Sequence, residues 1–325
     1  MQPFQAAEFH PHRLVRGGHA QTLAGFYLPT IAYPYQAEQQ LVELDDGDQI
    51  VLHEDTPDAW LPGDKTALLV HGLAGCHQSG YMQRIAARLV ARGVRAYRLD
   101  MRGCGASFPI AQHPAHSGRT ADLEAALRAV AQHSPRSPTT LVGFSLEGNV
   151  ALNLAAEAGR RDLGNLERTI AVCPPIDLAR CSRQIERGTA RIYGAWFVRL
   201  LMQHLERRRL LQPAWPAIQL AARPRTLWEF DHAVTAPMCG YASAAEYYER
   251  TSPGPRLKQI ELPTLIVASR DDPLVPIGPF QQHARSSAVQ LLITRGGGHL
   301  GFISRVGGDA DRRWLDWRIV DWVLE

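Results

Sequence analysis

The sequence is poor in cysteine and has no long apolar segment. Its 325 residues include five cysteines, an odd number, with no C-x-x-C pair and no metal-ligand spacing, which argues against a disulfide framework or a cysteine-bound metal. The thiols are expected to be reduced and structural, as in a cytoplasmic protein. No run of about 18 apolar residues occurs, and Met1 to Phe4 do not begin a basic stretch followed by an apolar one. Neither a membrane span nor an export signal is therefore predicted.

The chain also has little excess of positive over negative charge. The formal net charge is +3, and lysine and arginine form no long uninterrupted run, so nucleic acid is not expected as a partner. We interpret the triplet Arg207 to Arg209 as a solvated helix face rather than a patch for nucleic acid or lipid headgroups. Hydrophobic residues make up 45% of the chain, enough for a sizeable core. The length fits a single domain over 1–325 that carries a lid.

The most informative stretch is Gly143-Phe144-Ser145-Leu146-Glu147-Gly148. It follows a short apolar run and opens a helix-forming one. A serine at such a strand-to-helix turn is held in strained backbone with its hydroxyl above the sheet. Ser145 is therefore the candidate nucleophile, and a serine that only caps the following helix is the alternative. The usual pattern is G-x-S-x-G, and this chain has Glu147 in place of the second glycine.

An acid and a histidine follow Ser145 in the chain order that is typical of this kind of site. An apolar strand over Pro263 to Ala268 runs into Asp271-Asp272-Pro273, where Asp272 is the predicted acid. A second apolar run, Val289 to Thr294, leads into a glycine-rich loop that contains His299, the predicted general base. The imidazole would take the serine proton, and the carboxylate would fix the imidazole tautomer and stabilise the imidazolium.

The choice of acid has alternatives. Asp271 is adjacent, and Asp177 follows the preceding strand, where some hydrolases carry their acid. Asp272 is preferred because Pro276 follows it by four residues, as in the D-x-x-V-P ending that is common for this strand. An ordinary turn is a further interpretation, because Asp and Pro dominate turns.

A glycine-containing loop lies upstream. The apolar strand Thr66 to Val70 runs into His71-Gly72-Leu73-Ala74-Gly75. The backbone N–H of Leu73 and that of Leu146, after the nucleophile, are predicted to form the oxyanion hole. Losing one such donor costs roughly 3 kcal/mol of transition-state stabilisation. Together the four features, in this order, predict a serine hydrolase.

Apolar periodicity predicts an α/β architecture. Strands and helices alternate from residue 41 onward, which favours a parallel sheet with right-handed crossovers. A polar turn over Asp45 to Asp48 predicts an antiparallel hairpin ahead of it. The loop that begins at Asp100 has the form D-x-R-G-x-G-x-S and is expected to be structural. Residues 1–40 are predicted to be an N-terminal extension.

The alternation stops between Pro174 and Pro263. We predict a helical cap over 178–260, inserted before the acid-bearing strand, which covers the strand ends and walls off the acyl pocket. Trp196, Phe197 and Met202 are the candidate substrate-binding residues, with packing between cap and sheet as the alternative for each. A peripheral contact with lipid through the apolar helix of the cap is left open.

The motifs together resemble the YheT-type hydrolases, the hydrolase-4 branch of the α/β-hydrolase superfamily. The resemblance covers nearly the whole chain and includes segments to which no chemistry is assigned. It is carried by Gly17-Gly18-His19-Ala20-Gln21-Thr22, His71-Gly72-Leu73-Ala74-Gly75, Gly143-Phe144-Ser145-Leu146, Phe230-Asp231 with Thr235-Ala236-Pro237, Tyr247-Tyr248 and Gly297-Gly298-His299-Leu300-Gly301-Phe302.

The resemblance implies an α/β-hydrolase fold, with a mostly parallel eight-stranded sheet, helices on both faces and an inserted cap. It implies a serine carboxylesterase that acts on small-molecule esters with short- to medium-chain acyl groups, without a cofactor or metal. The triad falls on Ser145, Asp272 and His299. Eukaryotic relatives act on lipids. The family has Gly-Gly after Ser-Leu, where this chain has Glu147-Gly148.

Glu147 leaves two functions open. A side chain at this position is expected to clash or to push the helix outward, and a charge near the oxyanion opposes the transition state. Glu147→Gly is therefore predicted to raise esterase activity. The alternative to an active esterase is an acyl-ligand-binding or regulatory protein on a hydrolase scaffold, weakened by Glu147. Haloalkane and epoxide hydrolysis need an aspartate where this chain has Ser145, so neither activity is expected. The acyl chain, the alcohol and the oligomeric state are not specified by the sequence.

Overall fold

One sheet of eight strands forms the centre of the protein. The computed structural model describes residues 4–29, 36–211 and 220–325. The order across the sheet is β1-β2-β4-β3-β5-β6-β7-β8. The β1–β2 and β2–β4 pairs are antiparallel, and all other pairs are parallel. The strands are β1 (Glu38–Glu43), β2 (Gln49–Asp55), β3 (Thr66–Val70), β4 (Arg95–Asp100), β5 (Thr139–Phe144), β6 (Leu166–Val172), β7 (Thr264–Ser269) and β8 (Val289–Thr294).

Helices cover the sheet and also make up the described part of the segment 178–260, which is called the cap below. In the described part of the chain they are α1 (Gly18–Tyr27), α2 (Gly80–Val90), α3 (Thr120–His133), α4 (Leu146–Ala155), α5 (Leu178–Ile185), α6 (Arg191–Leu211), α7 (Leu227–Phe230), α8 (Ala236–Met238), α9 (Ala244–Thr251), α10 (Gly278–Gln282) and α11 (Trp314–Leu324). A π-helical turn over Asp231–Thr235 joins α7 to α8. The predicted mostly parallel sheet with helices on both faces is confirmed.

The core lies on both faces of the sheet. Strands β3, β5 and β7 are buried along their whole length, as expected for parallel strands covered on both sides. On one face the sheet packs against apolar residues of α2 and α11, such as Ile85 and Ile319. On the other face it packs against α3 and α4, through residues such as Leu127 and Leu154. Packing on both faces holds the parallel strands in place, and with them the loops at their carboxyl ends that carry the predicted site residues.

The predicted hairpin is present. β1 and β2 pair in antiparallel register with Glu43 opposite Gln49. The turn between them has Gly47 at φ 78°, a conformation that glycine adopts without steric cost. Asp48 is buried and accepts hydrogen bonds from the backbone N–H groups of Gln112 and His113. The turn is thereby tied to the loop that precedes α3.

Helices and loops alone occupy the described residues between β6 and β7. The longest element there is α6, with 21 residues. Its apolar face packs within the cap against residues of α7 and the π-helical turn. Part of the predicted cap, 212–219, and part of the predicted N-terminal extension, 1–3 and 30–35, lie outside the described residues. No helix in the described ranges is long and apolar enough to cross a membrane.

The interpretation of the arginine triplet as a solvated face is wrong for its middle member. Arg207 and Arg209 are exposed, whereas Arg208 is buried. Its guanidinium donates a hydrogen bond to the carbonyl of Ala111 and lies 5.2 Å from the ring centroid of Phe108. Consecutive residues of an α-helix point about 100° apart, so the middle one of three points away from the mean direction of the other two. In α6 the middle residue, Arg208, faces the body of the protein.

Candidate active site

A sharp turn holds Ser145 between β5 and α4. β5 ends at Phe144 and α4 begins at Leu146, so the change of direction falls on one residue. Ser145 has φ 53° and ψ −119°, a backbone conformation that costs roughly 1–3 kcal/mol in a residue other than glycine. Its backbone N–H donates to the carbonyl of Val172 at 2.8 Å. The sheet therefore holds the strained residue in place and presents its hydroxyl at the strand ends.

The sharp turn from β5 through Ser145 into α4, called the elbow below, forms with Glu147 in place, so the expected clash of its side chain is wrong. The close approach is made by backbone atoms. A Cβ added at Gly143 would lie 2.5 Å from the carbonyl oxygen of Glu147, and one added at Gly148 would lie 3.0 Å from that of Gly143. These two glycines provide the space that the helix and strand need.

Three side chains from three separate loops meet beside the elbow. His299 Nε2 lies 2.8 Å from Ser145 Oγ, and His299 Nδ1 lies 2.8 Å from Asp272 Oδ2. The histidine and the aspartate are both buried. The imidazole can therefore accept the serine proton at Nε2 while it donates from Nδ1 to the carboxylate. The structure brings together all three residues predicted for the triad.

The three candidate acids have different surroundings. Asp272 turns Oδ2 to His299, and its Oδ1 accepts from the backbone N–H groups of Leu274 and Val275. Asp271 Oδ1 instead accepts from the backbone N–H of Gly298 and from the hydroxyl of Ser269. Asp177 caps α5 and pairs with Arg180. Of these three carboxylates, Asp272 is the one hydrogen-bonded to the imidazole.

The loop after β3 lies against the elbow. A Cβ at Gly72 would be 3.1 Å from that of Ser145, and the N–H of Gly72 donates to the hydroxyl of Tyr81. Leu73 and Leu146 both line the cavity that contains Ser145. Leu146 is the first residue of α4, so its N–H has no partner within the helix.

His71 holds this loop through its ring. Burial lowers the pKa of His71, so the imidazole is neutral. Its Nδ1 lies 2.8 Å from the carbonyl of Gly72, and its Nε2 is positioned to accept from the N–H of Met101. These partners fit the tautomer that carries its proton on Nδ1.

A buried group of two histidines and an aspartate underlies the same loop. His53 Nε2 and His77 Nδ1 lie 3.0 and 2.6 Å from Asp100 Oδ2, and the two rings are stacked. Backbone N–H groups of His77 and Ala106 also donate to this carboxylate. These contacts lower the pKa of Asp100. The carboxylate thus joins β2, the loop before α2 and the loop after β4, the structural role expected for the latter loop.

A cavity between the sheet and the cap opens onto Ser145 and His299. Phe197 lines this cavity, and its role in substrate binding stays a prediction. Trp196 is 41% exposed and packs against Phe26 and Phe197. Met202 packs inside the cap. Trp196 and Met202 are absent from the described part of the cavity wall, because their side chains face other sides of α6. The wall is mainly apolar and includes Leu146, Leu178, Ile185, Phe197, Leu201, Leu227 and Val275.

Sequence inspection missed the polar part of this cavity wall. Asp231 accepts hydrogen bonds from the hydroxyls of Thr235 and Tyr248, both at 2.6 Å, and burial raises its pKa to about 6. Burial and nearby arginines lower the pKa of His116 to about 3, so that imidazole is neutral. The Phe230-Asp231 and Tyr247-Tyr248 pairs were visible in the sequence, but no spacing rule connects them.

The side chain of Glu147 is buried behind the elbow. Within the described residues, its Oε2 has no hydrogen-bond partner. Burial, together with repulsion by Asp122, raises the pKa of Glu147 to about 8. The carboxyl is therefore mainly protonated at neutral pH. The activity gain predicted for Glu147→Gly, so far as it depends on removing a charge, applies above this pKa.

We expect Glu147→Gln to gain stability relative to the wild type as pH rises from 4.5 to about 8. At lower pH the carboxyl is protonated in both the folded and the unfolded chain. Between the two values the unfolded chain releases the proton and the folded protein keeps it. The wild type therefore loses unfolding free energy, on the order of 4 kcal/mol in total. Glutamine has no such titration.

Urea denaturation at about pH 5 and about pH 8.5 measures this difference. Glu206→Gln, at an exposed position on the cap helix α6, is the matched control, and its difference from the wild type should change little with pH. A Glu147→Gln difference that is the same at both pH values would contradict the prediction.

The fold and the site define this protein as a member of a large enzyme family. Residues 66–306 match the family model described as the alpha/beta hydrolase fold, and the chain belongs to that family. Within it the chain is a YheT-type hydrolase. It is 32% identical over 326 residues to "Putative esterase YheT" of Escherichia coli K12. That alignment covers 98% of this chain and 93% of the Escherichia coli protein.

More distant relatives carry other names. The chain is 25% identical to the human protein named phospholipase ABHD3, over 94% of this chain and 76% of that one. It is 27% identical to the monoacylglycerol lipase of Saccharomyces cerevisiae, over 76% of this chain and 56% of that one.

Solved structures show the same fold. The Pyrococcus furiosus esterase Pf2001 aligns with a TM-score of 0.58 at 14% identity, over 99% of this chain and 98% of that one. The esterase EaEST of Exiguobacterium antarcticum aligns with a TM-score of 0.55 at 17% identity, over 89% and 100%. At these identities the likeness supports the fold alone.

Proposed function

We propose that this ester hydrolase is a serine carboxylesterase in which Ser145 is the nucleophile, His299 the general base and Asp272 the residue that orients it. The observation that carries the proposal is the continuous hydrogen-bonded chain from Asp272 through His299 to Ser145, with 2.8 Å at each step. Ser145 and His299 line the cavity beneath the cap. The named ester hydrolases among its relatives are consistent with it.

The reaction proceeds in two acyl transfers. Ser145 Oγ attacks the ester carbonyl while His299 Nε2 takes its proton, and the carbonyl oxygen becomes an oxyanion. The backbone N–H groups of Leu73 and Leu146 are proposed to stabilise this charge. The protonated imidazole then gives its proton to the leaving alkoxide, so the alcohol departs and the acyl group stays on Ser145. Water, activated by the same imidazole, releases the carboxylic acid and restores the serine.

The cavity supports a substrate with an apolar acyl group of short to medium length. Its wall is mainly apolar, and closing such a site under a cap excludes water from the reacting centre. The polar groups Asp231 and His116 share the same wall. A series of p-nitrophenyl esters of increasing acyl length tests the preferred chain, with the highest kcat/KM expected between about two and eight carbons.

We expect a fluorophosphonate probe to attach covalently to Ser145, because the imidazole activates that hydroxyl. Intact-mass spectrometry should show one added probe on the wild type and none on Ser145→Ala. The control is Ser243→Ala, since Ser243 caps α9 in the cap and donates no group to the site. Labelling of Ser145→Ala at the wild-type level would refute the assignment. Ligand binding by a wild type that takes no label would favour a non-catalytic acyl-binding protein.

A further inference from the structure

The Gly17 to Thr22 segment, to which the sequence assigned no role, forms the start of α1 and lies against the loop that carries His299. α1 begins at Gly18. A Cβ at Gly18 would overlap the carbonyl oxygen of Asp271, and one at Gly298 would overlap the carbonyl of Gly18. Only glycines allow the helix and the two catalytic loops to approach so closely.

Thr22 makes a direct hydrogen bond to the catalytic histidine's backbone. Its Oγ1 accepts from the N–H of His299 at 2.8 Å. The same hydroxyl donates to the carbonyl of Gly18 one turn earlier, at 2.7 Å. The proton of the hydroxyl is therefore directed into the helix, and a lone pair is left for His299.

Gln21 holds the far end of the same loop. It is fully buried, and its Oε1 accepts from the N–H of Ile303 at 2.7 Å. Its Nε2 donates to the carbonyls of Ile303 and Val15. One amide thus satisfies both backbone groups of Ile303, much as a neighbouring strand would.

The loop needs such support because its backbone is strained. Leu300 has φ 62° and Phe302 has φ 44°, and Gly298 between β8 and these residues has φ 59°. Positive φ in residues with side chains is unfavourable and persists only where the surroundings impose it. Asp271 supplies one restraint, through the N–H of Gly298. The N–H of His12, ahead of α1, donates to the carbonyl of Ile303. The restraints closest to the imidazole, on the N–H groups of His299 and Ile303, come from α1.

We propose that α1 is a positioning element of the catalytic machinery, with Thr22 and Gln21 holding the 298–303 loop so that the His299 imidazole reaches Ser145 and Asp272 together. The proposal depends on the proposed function, since it assigns His299 as the base. Thr22 and Gln21 do not touch the reacting atoms. They act through the backbone of the loop, and a displacement of about 1 Å at the imidazole is enough to cost up to 100-fold in rate.

The test is Thr22→Val, which keeps the shape of the side chain and removes the acceptor. We expect kcat to fall about 10- to 100-fold with KM within twofold, because the ester pocket is untouched. The rate of fluorophosphonate labelling should fall in parallel. Thr22→Ser keeps the hydroxyl and should restore at least half of the wild-type kcat.

The matched control is Thr251→Val. Thr251 is buried in α9, and its hydroxyl donates to the carbonyl one turn earlier, as that of Thr22 does. Among the described residues, Thr251 forms no hydrogen bond with the His299 loop. Its kcat should stay within twofold of the wild type, so a general loss of helix stability is separated from misplacement of His299. A melting temperature for each variant completes the comparison.

The outcomes separate the two proposals. A Thr22→Val protein that is less stable but has wild-type kcat and labelling rate would overturn the positioning role while leaving the esterase intact. An equal fall of kcat in Thr22→Ser would also overturn it, because the hydroxyl would then be irrelevant. A wild type that neither turns over esters nor takes the label would overturn both.

Discussion

Replacing His299 by alanine is expected to lower kcat on a short-chain ester by several powers of ten, on the order of 10⁵ to 10⁶, as for loss of the base in other serine hydrolases. The imidazole lies 2.8 Å from Ser145 Oγ. Without it, no other base among the described residues lies within hydrogen-bond distance of that hydroxyl. Stopped assays with p-nitrophenyl acetate and the purified variant measure the loss.

His133→Ala is the control for this experiment. His133 is exposed at the end of α3, and within the described residues its ring bonds only to the carbonyl of Ala129. The kcat of His133→Ala should therefore match that of the wild type. The rate of fluorophosphonate labelling should fall with kcat in His299→Ala. If His299→Ala retained more than about a hundredth of the wild-type kcat, a different group would have to be the base.

Replacing Asp272 by asparagine is expected to lower kcat about 10⁴-fold. The backbone N–H groups of Leu274 and Val275 point at Oδ1, so an asparagine places its carbonyl oxygen there. Its NH₂ group then faces Nδ1 of His299, which must become an acceptor. The ring proton moves to Nε2, and an imidazole with a proton there cannot accept the proton of Ser145.

The two alternative acids, Asp177 and Asp271, supply controls for Asp272→Asn. Asp177→Asn should keep wild-type kcat, because asparagine caps a helix as well as aspartate does. Asp271→Asn should cost at most about tenfold, because its amide oxygen can still accept from the N–H of Gly298. If kcat fell further in Asp177→Asn than in Asp272→Asn, the acid would be Asp177, after strand β6. The pH dependence of kcat/KM in each variant shows whether the base itself is altered.

Much of the fold was predictable because its signals are local. The strands Thr66 to Val70 and Val289 to Thr294 have the predicted bounds, since each is a short, mainly apolar run that leads into a glycine-containing loop. The polar turn at Asp45 to Asp48 identified the hairpin. By contrast, α1 and α11 were not predicted: α1 carries few buried apolar residues, and it is stabilised by contacts with distant loops.

Glu147 shows where a sequence pattern misleads. A residue other than glycine at that position predicted a clash, but the close contact in the turn is between the backbone of residue 147 and Gly143. The protonation state of its carboxyl depends on burial and on Asp122, which lies on a different helix. Neither property can be read from the elbow sequence.

By itself the sequence predicted the chain order of the candidate triad and the type of chemistry, because Ser145, Asp272 and His299 each follow a recognisable strand. Only the tertiary structure decided which parts touch. It turned Asp272 rather than Asp271 toward the imidazole, placed Phe197 rather than Met202 in the cavity, and set Thr22 against the backbone of His299. Thr22 and His299 are 277 residues apart. Hydrogen bonds over such separations depend on how whole elements pack, and no local pattern of residue types encodes them.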